Sequence, residues 1–135
     1  MGFTDKFRVQ HDEILAMTRE ITDKLKAEPD APLIRKLLSS LAGKVNFHLA
    51  MEDKALYPRL AQQKDTHTTA LTAKFMAEMG GLAGVFMAYN NKWQVSAIKS
   101  DPEGFAHETR KVFGALAHRI QRENSELYPL ADVGT

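Results

Sequence analysis

Leu41-Ala42-Gly43-Lys44-Val45-Asn46-Phe47-His48-Leu49-Ala50-Met51-Glu52-Asp53-Lys54-Ala55-Leu56-Tyr57-Pro58 carries the pattern on which the fold turns. Positions 41, 45, 48, 52 and 56 recur by threes and fours, the spacing of one face of an α-helix. Leu41, Val45 and Leu56 make that face apolar, and His48 and Glu52 interrupt it one turn apart. Both then need a partner, because an unpaired buried carboxylate costs several kcal/mol or shifts its pKa strongly.

The rest of the chain divides around this stretch. Breaks fall at Glu28-Pro29-Asp30-Ala31-Pro32, at Gln62-Gln63-Lys64-Asp65-Thr66 and at Ser100-Asp101-Pro102-Glu103-Gly104, where Ser100 or Asp101 can cap a helix with Pro102 in its first turn. No β alternation of useful length lies between them, and the pattern predicts helices over 4–27, 31–61, 66–98 and 102–131. Their apolar stripes run through Phe7, Ile14, Ile21 and Leu25; Ile34, Leu37, Leu41, Val45 and Leu56; Leu71, Phe75, Leu82, Val85, Tyr89 and Trp93; and Phe105, Val112, Leu116, Ile120 and Leu127. Four amphipathic helices with short connections predict an all-α, antiparallel up-down-up-down four-helix bundle, one domain over residues 1–135. Gly80, Gly81 and Gly84 weaken the third helix and leave open either close packing or a kink.

Every stripe has an ionisable residue in its seam. The first helix has His11 in the series 7, 11, 14, 18; the third has Glu78 in 71, 75, 78, 82; the fourth has Glu123 in 116, 120, 123, 127. At a rise of about 1.5 Å per residue, His11 lies roughly 10 Å from the start of its helix. His48 and Glu52 lie about 14–20 Å from the lower end of theirs, Glu78 about 16–18 Å from its start and Glu123 about 12 Å from its end. These depths fall in one band. Three carboxylates and two imidazoles converging from four helices fit a metal ion or a pair of ions, which satisfy Glu and neutral His together. His118 sits about 140° around the helix from Glu123 and could reach the site from the flank. His67 and His107, near helix starts, are not included.

Each residue also has an ordinary reading. His11 alone would be a satisfied core histidine, His48 and Glu52 an i, i+4 pair on a solvated face, and Glu78 and Glu123 surface residues after a small error of helix phase. The metal reading rests on their coincidence.

Composition narrows the function. The 135 residues are 44% hydrophobic and 26% charged, with a formal charge of +1 from 18 basic and 17 acidic residues. A surface so balanced gives no electrostatic reason to expect nucleic acid or an anionic membrane as partner. The absence of cysteine excludes disulfides, thiolate metal sites and iron–sulfur clusters. No secretory h-region follows Met1, and no apolar run nears the roughly 20 residues that span a bilayer, so the expected compartment is the cytoplasm.

Three segments resemble the hemerythrin-like (HHE) cation-binding family. His48-Leu49-Ala50-Met51-Glu52 with Leu56-Tyr57-Pro58 is similar to its H-x-x-x-E…L-[YF]-P segment, the most specific motif. His11-Asp12-Glu13-Ile14 is similar to its opening H-x-x-I segment, and His118 to Pro129 to its fourth-helix counterpart; Glu52 and Glu123 each precede a Leu-Tyr-Pro by the same interval. The resemblance spans nearly the whole chain. It implies a non-haem di-iron centre, or another divalent metal, with His11, His48 and His118 as terminal nitrogen ligands and Glu52 and Glu123 as bridging carboxylates. Where oxygen-carrying relatives place two histidines, the third helix here reads Phe75-Met76-Ala77-Glu78-Met79, with Glu78 the remaining hard ligand and Met79 near an expected histidine position. Oxygen-rich coordination of that kind suits higher oxidation states rather than reversible oxygen carriage.

The expected function is therefore metal binding in oxygen, redox or iron sensing or response, with dioxygen or another small diatomic as a further ligand. The alternative is a degenerate, metal-free bundle acting as a regulatory protein-interaction domain, its charges paired as Glu–His hydrogen bonds. An oxygen-activating enzyme is a third reading, disfavoured because no substrate pocket is legible. Haem held by Met79 and a histidine is a fourth, without an attachment motif to support it.

Overall fold

A computed structural model describes residues 2–27 and 30–133; Glu28 and Pro29, the start of the first expected break, lie outside the described residues. The elements are α1 (Asp5–Lys26), α2 (Ala31–Met51), π1 (Glu52–Leu56), α3 (Tyr57–Ala61), α4 (Thr66–Lys92), α5 (Val95–Ser100), α6 (Pro102–Arg122), π2 (Glu123–Leu127) and α7 (Tyr128–Asp132). Runs α2–π1–α3 and α6–π2–α7 are continuous, so α1, these two rods and α4 are the four long members of a helical bundle. Among the described residues there is no strand.

The helix starts follow local chemistry. Asp30 accepts the Leu33 N–H at 3.2 Å, Asp65 the N–H groups of His67 and Thr68, and Asp101 the Gly104 N–H at 3.0 Å, so carboxylates satisfy donors that the first turn leaves free. Of the two residues considered for the last cap, Asp101 takes the role, with Pro102 opening α6.

Two expected helices are not regular. Pro58 and Pro129 lack an N–H, and their rings crowd the carbonyl four residues back. The turn before each proline widens to π geometry, with the Tyr57 N–H bonded to the Glu52 carbonyl and the Tyr128 N–H to the Glu123 carbonyl. In a regular α-helix, residues five apart sit about 140° from each other. The wide turn keeps Glu52 and Tyr57 buried together, and Glu123 and Tyr128 likewise.

The third helix ends at Lys92 rather than near 98, and Val95–Ser100 forms a separate short helix. Trp93 is buried with its indole N–H on Glu108 at 2.9 Å, and Arg35 Nη1 donates to the Asn90 and Trp93 carbonyls at 2.7 Å each. A distant guanidinium thus satisfies the carbonyls this helix end leaves unpaired. Gly80, Gly81 and Gly84 lie within one continuous helix and serve no close approach, since a Cβ added at any of them would meet nothing within 4 Å.

The core has two apolar parts. One centres on Ile14, Leu41, Val45, Tyr89, Leu116 and Ile120; the other on Phe7, Leu56, Leu60, Phe75, Leu127 and Tyr128. Along each long rod the residues between them are His11, then His48 and Glu52, then Met79, then Arg119 and Glu123, all buried. A polar layer therefore separates two greasy ones. Among the described residues no helix is long and apolar enough to cross a membrane.

Candidate metal centre

His11, His48, Glu52 and Glu123 meet in that layer. Each offers one ligand atom, these atoms lie within 4.8 Å of one another, and all four residues are buried. Donors bonded to one ion at about 2.0–2.2 Å stand at most about 4.4 Å apart, so a small contraction would close this set around a single cation. The donor chemistry also fits: two imidazoles with carboxylate oxygens suit iron, zinc, manganese or cobalt.

The two imidazoles are held from behind. His11 Nδ1 lies 2.9 Å from Asn124 Oδ1, and His48 Nδ1 lies 2.6 Å from Gln10 Oε1. An amide oxygen can only accept, so each Nδ1 carries the proton and each Nε2 turns toward the cluster. There His11 Nε2 is 3.0 Å from Glu123 Oε1, and His48 Nε2 is 3.2 Å from Glu52 Oε2 and 4.0 Å from Glu123 Oε1. The Tyr128 hydroxyl stands among them, donating to Glu52 Oε2 at 2.6 Å, with His11 Nε2 at 3.0 Å and His48 Nε2 at 3.4 Å. Glu52 Oε1, although buried, has no hydrogen-bond partner. A buried carboxylate oxygen without a donor is costly, and a bound cation would supply a partner.

The charges are strongly coupled. Burial would lower the pKa of His48, but hydrogen bonds to Glu123 and Glu52 outweigh it and raise the group to about 9. Burial would raise Glu123, but hydrogen bonds from His11 and His48, together with the Arg119 charge, hold its carboxyl well below the usual range. Burial and the neighbouring Glu123 and Glu52 push the Tyr128 phenol far up, so it stays a donor.

Two expected site residues lie elsewhere. Glu78 is exposed and pairs with Arg122 Nη1 at 2.6 Å; its pKa is lowered chiefly by that hydrogen bond. The buried face of α4 runs through Phe75, Met79, Phe86 and Tyr89; it departs from the expected series at two positions, where Met79 faces inward instead of Glu78 and Phe86 instead of Val85. His118 is also exposed. The position four residues before Glu123, matching that of His48 before Glu52, belongs to Arg119.

Arg119 was not among the expected site residues, and it is 95% buried. Its Nε lies 3.3 Å from Glu123 Oε2, its Nη2 donates to the Phe75 carbonyl at 2.7 Å, its Nη1 is 3.7 Å from Glu78 Oε2, and its guanidinium covers the Phe75 ring at 4.4 Å. Tyr128, Asn124 and Gln10 also escaped the sequence reading. Extending the shared Glu…Leu-Tyr-Pro interval four residues backward would have found Arg119, while nothing local marks Gln10 or Asn124.

The family profile described as Hemerythrin HHE cation binding domain matches residues 2–131. The chain belongs to this family. No curated protein and no solved structure matches it. Within the HHE fold, the buried His11–His48–Glu52–Glu123 cluster is a group able to hold a metal ion. An open cleft of about 160 Å³ is lined by Leu49, Asp53, Tyr57, Met76, Met79 and Gly80 among others, and by none of the four donors. A groove of about 520 Å³ is lined by Gln10, Glu13, Ser40, Gly43, Lys44 and Phe47 and by none of the four donors.

Proposed function

We propose that this HHE protein holds non-haem iron through His11, His48, Glu52 and Glu123 and serves in oxygen, redox or iron sensing or response rather than in oxygen transport. The observation that carries the reading is the convergence of four buried donors whose imidazoles are fixed at Nδ1, beside a Glu52 oxygen with no partner. Two imidazoles with carboxylates form the donor set of many non-haem iron sites, and iron bound there would supply redox chemistry. Oxygen transport is not favoured because α4 offers Met79 to the layer, not histidine. The reading includes a cytoplasmic setting for this cysteine-free chain.

A metal-free interaction domain is the second reading, favoured by the His11–Glu123 and His48–Glu52 contacts that already pair the charges. Iron(II) titration of the apo-protein under anaerobic conditions separates the two. Stoichiometric uptake by wild type and by His67→Ala, with loss in His48→Ala and Glu52→Ala, is expected. Equal uptake by all four proteins would remove the proposed site, and an oxy spectrum that reverses on deoxygenation would restore oxygen carriage.

A further inference from the structure

The two halves of the chain repeat one buried pattern. Ile34, Leu38, Leu41, Val45, His48, Glu52, Leu56 and Tyr57 are matched in spacing by Phe105, Thr109, Val112, Leu116, Arg119, Glu123, Leu127 and Tyr128, and all sixteen are buried. Likewise Phe7, His11, Thr18 and Ile21 are matched by Phe75, Met79, Phe86 and Tyr89, again all buried. The sequence thus lays out two half-sites that share two carboxylates. In the first, the inward positions are His11 and His48. In the second, they are Met79 and Arg119.

The carboxylates face both ways. Glu123 turns Oε1 to His11 and Oε2 to Arg119 Nε, so it spans from the imidazoles to the guanidinium. Tyr128 donates to Glu52 in the first half, whereas the buried Tyr57 hydroxyl in the second lies beside the Arg119 guanidinium. Arg119 is fixed by Glu123, the Phe75 carbonyl, the Phe75 ring and Glu78. A guanidinium keeps its charge at any relevant pH and cannot ligate a metal.

We propose that the centre holds one metal ion, on the His11–His48 side, and that the Arg119 guanidinium stands in place of a second as a built-in cation bridged to the first by Glu123. This rests on the metal reading above, and it departs from the di-iron centre that the family resemblance implies. A second ion would need nitrogen or oxygen ligands where Met79 and Arg119 stand, and would sit beside a fixed positive charge. With one divalent ion and Arg119, three positive charges face the two carboxylates. With two ions they would number five, a large excess in a buried layer.

Manganese(II) titration of the apo-protein, read by equilibrium dialysis and by electron paramagnetic resonance, tests the count. Wild type should saturate at one ion per chain with the spectrum of an isolated ion. Arg119→His removes the cation and restores the His-x-x-x-Glu spacing of the first half, so it should take up a second ion and show a spectrum of coupled ions. Two ions in wild type would overturn the count while leaving the metal reading intact. No ion in wild type would overturn both. Arg119→His remaining at one ion with an unchanged spectrum would overturn the assignment to Arg119.

Discussion

The segments His48–Pro58 and Arg119–Pro129 share a glutamate, a leucine, a tyrosine and a proline at the same spacing, and both widen to a π turn before the proline. They differ at the residue one turn before the glutamate. His48 has its Nδ1 tied to Gln10 and its Nε2 free to face the cluster, and it belongs to a donor set. Arg119 points a charge into the same layer but cannot ligate. One backbone device, used twice, thus serves two electrostatic tasks: a proton-exchangeable imidazole on one side and a permanent cation on the other. The π turn places the glutamate and tyrosine; the residue four before the glutamate decides what they face.

The largest effect should come from unequal treatment of the two halves. His11→Ala should abolish stoichiometric metal uptake, whereas Met79→Ala, at the matching position of α4, should retain it and lose only packing stability, about 2–3 kcal/mol. Equal loss of uptake in both, measured by metal analysis after dialysis, would erase the distinction. Next is Arg119→Met in the apo-protein. It takes the guanidinium from the 98% buried Glu123, which keeps only the His11 and His48 imidazoles, and breaking a buried pair of this kind costs about 3 kcal/mol. Urea denaturation measures this, with Glu78→Gln as a control that should leave metal affinity unchanged because Glu78 is exposed.

Acidity sharpens the comparison, since only the histidine half exchanges protons. His48 must lose its proton to ligate, and its pKa is raised to about 9, so metal affinity should fall about tenfold per pH unit below 9 while this group titrates. The sign reverses for the metal-free fold. A pKa raised from 6.5 to about 9 gives stability that is complete below about 6.5 and is lost as pH rises through 9. Calorimetric melts with and without manganese(II) between pH 6 and 9 should therefore diverge as pH rises. Parallel melts would refute it. The smallest effect concerns the tyrosines: Tyr128→Phe removes the donor to Glu52 and should cost about 1–2 kcal/mol, while Tyr57→Phe, whose hydroxyl lies beside Arg119 and donates to no carboxylate, should cost less.

Much of this was legible from residue spacing, and the misses have physical causes. The bundle and the seam of α1 follow from threes and fours, as does that of α2 except that Leu38 rather than Leu37 is fully buried, and so do His11, His48, Glu52 and Glu123. The phase of α4 does not, because Glu78-Met79 and Val85-Phe86 each offer two neighbours of which one must face inward. Glu78 looked like an inward carboxylate, yet Arg122 and Arg119 hold it outward, while Met79 packs into the layer. His118 drew attention as a histidine near Glu123, but a histidine five residues before a glutamate on an α-helix does not share its face. The π turns lie beyond an α-helical period, and the holders of the imidazoles, Gln10 and Asn124, are polar residues whose contacts exist only in the folded chain.

The most direct measurement is an anomalous-scattering map of crystals of the manganese(II)-loaded protein. One peak is expected among His11 Nε2, His48 Nε2 and the carboxylates of Glu52 and Glu123, with the Arg119 guanidinium in place beyond Glu123 and no peak on that side. A map with no peak in the cluster, both imidazoles still hydrogen-bonded to the carboxylates, would contradict it.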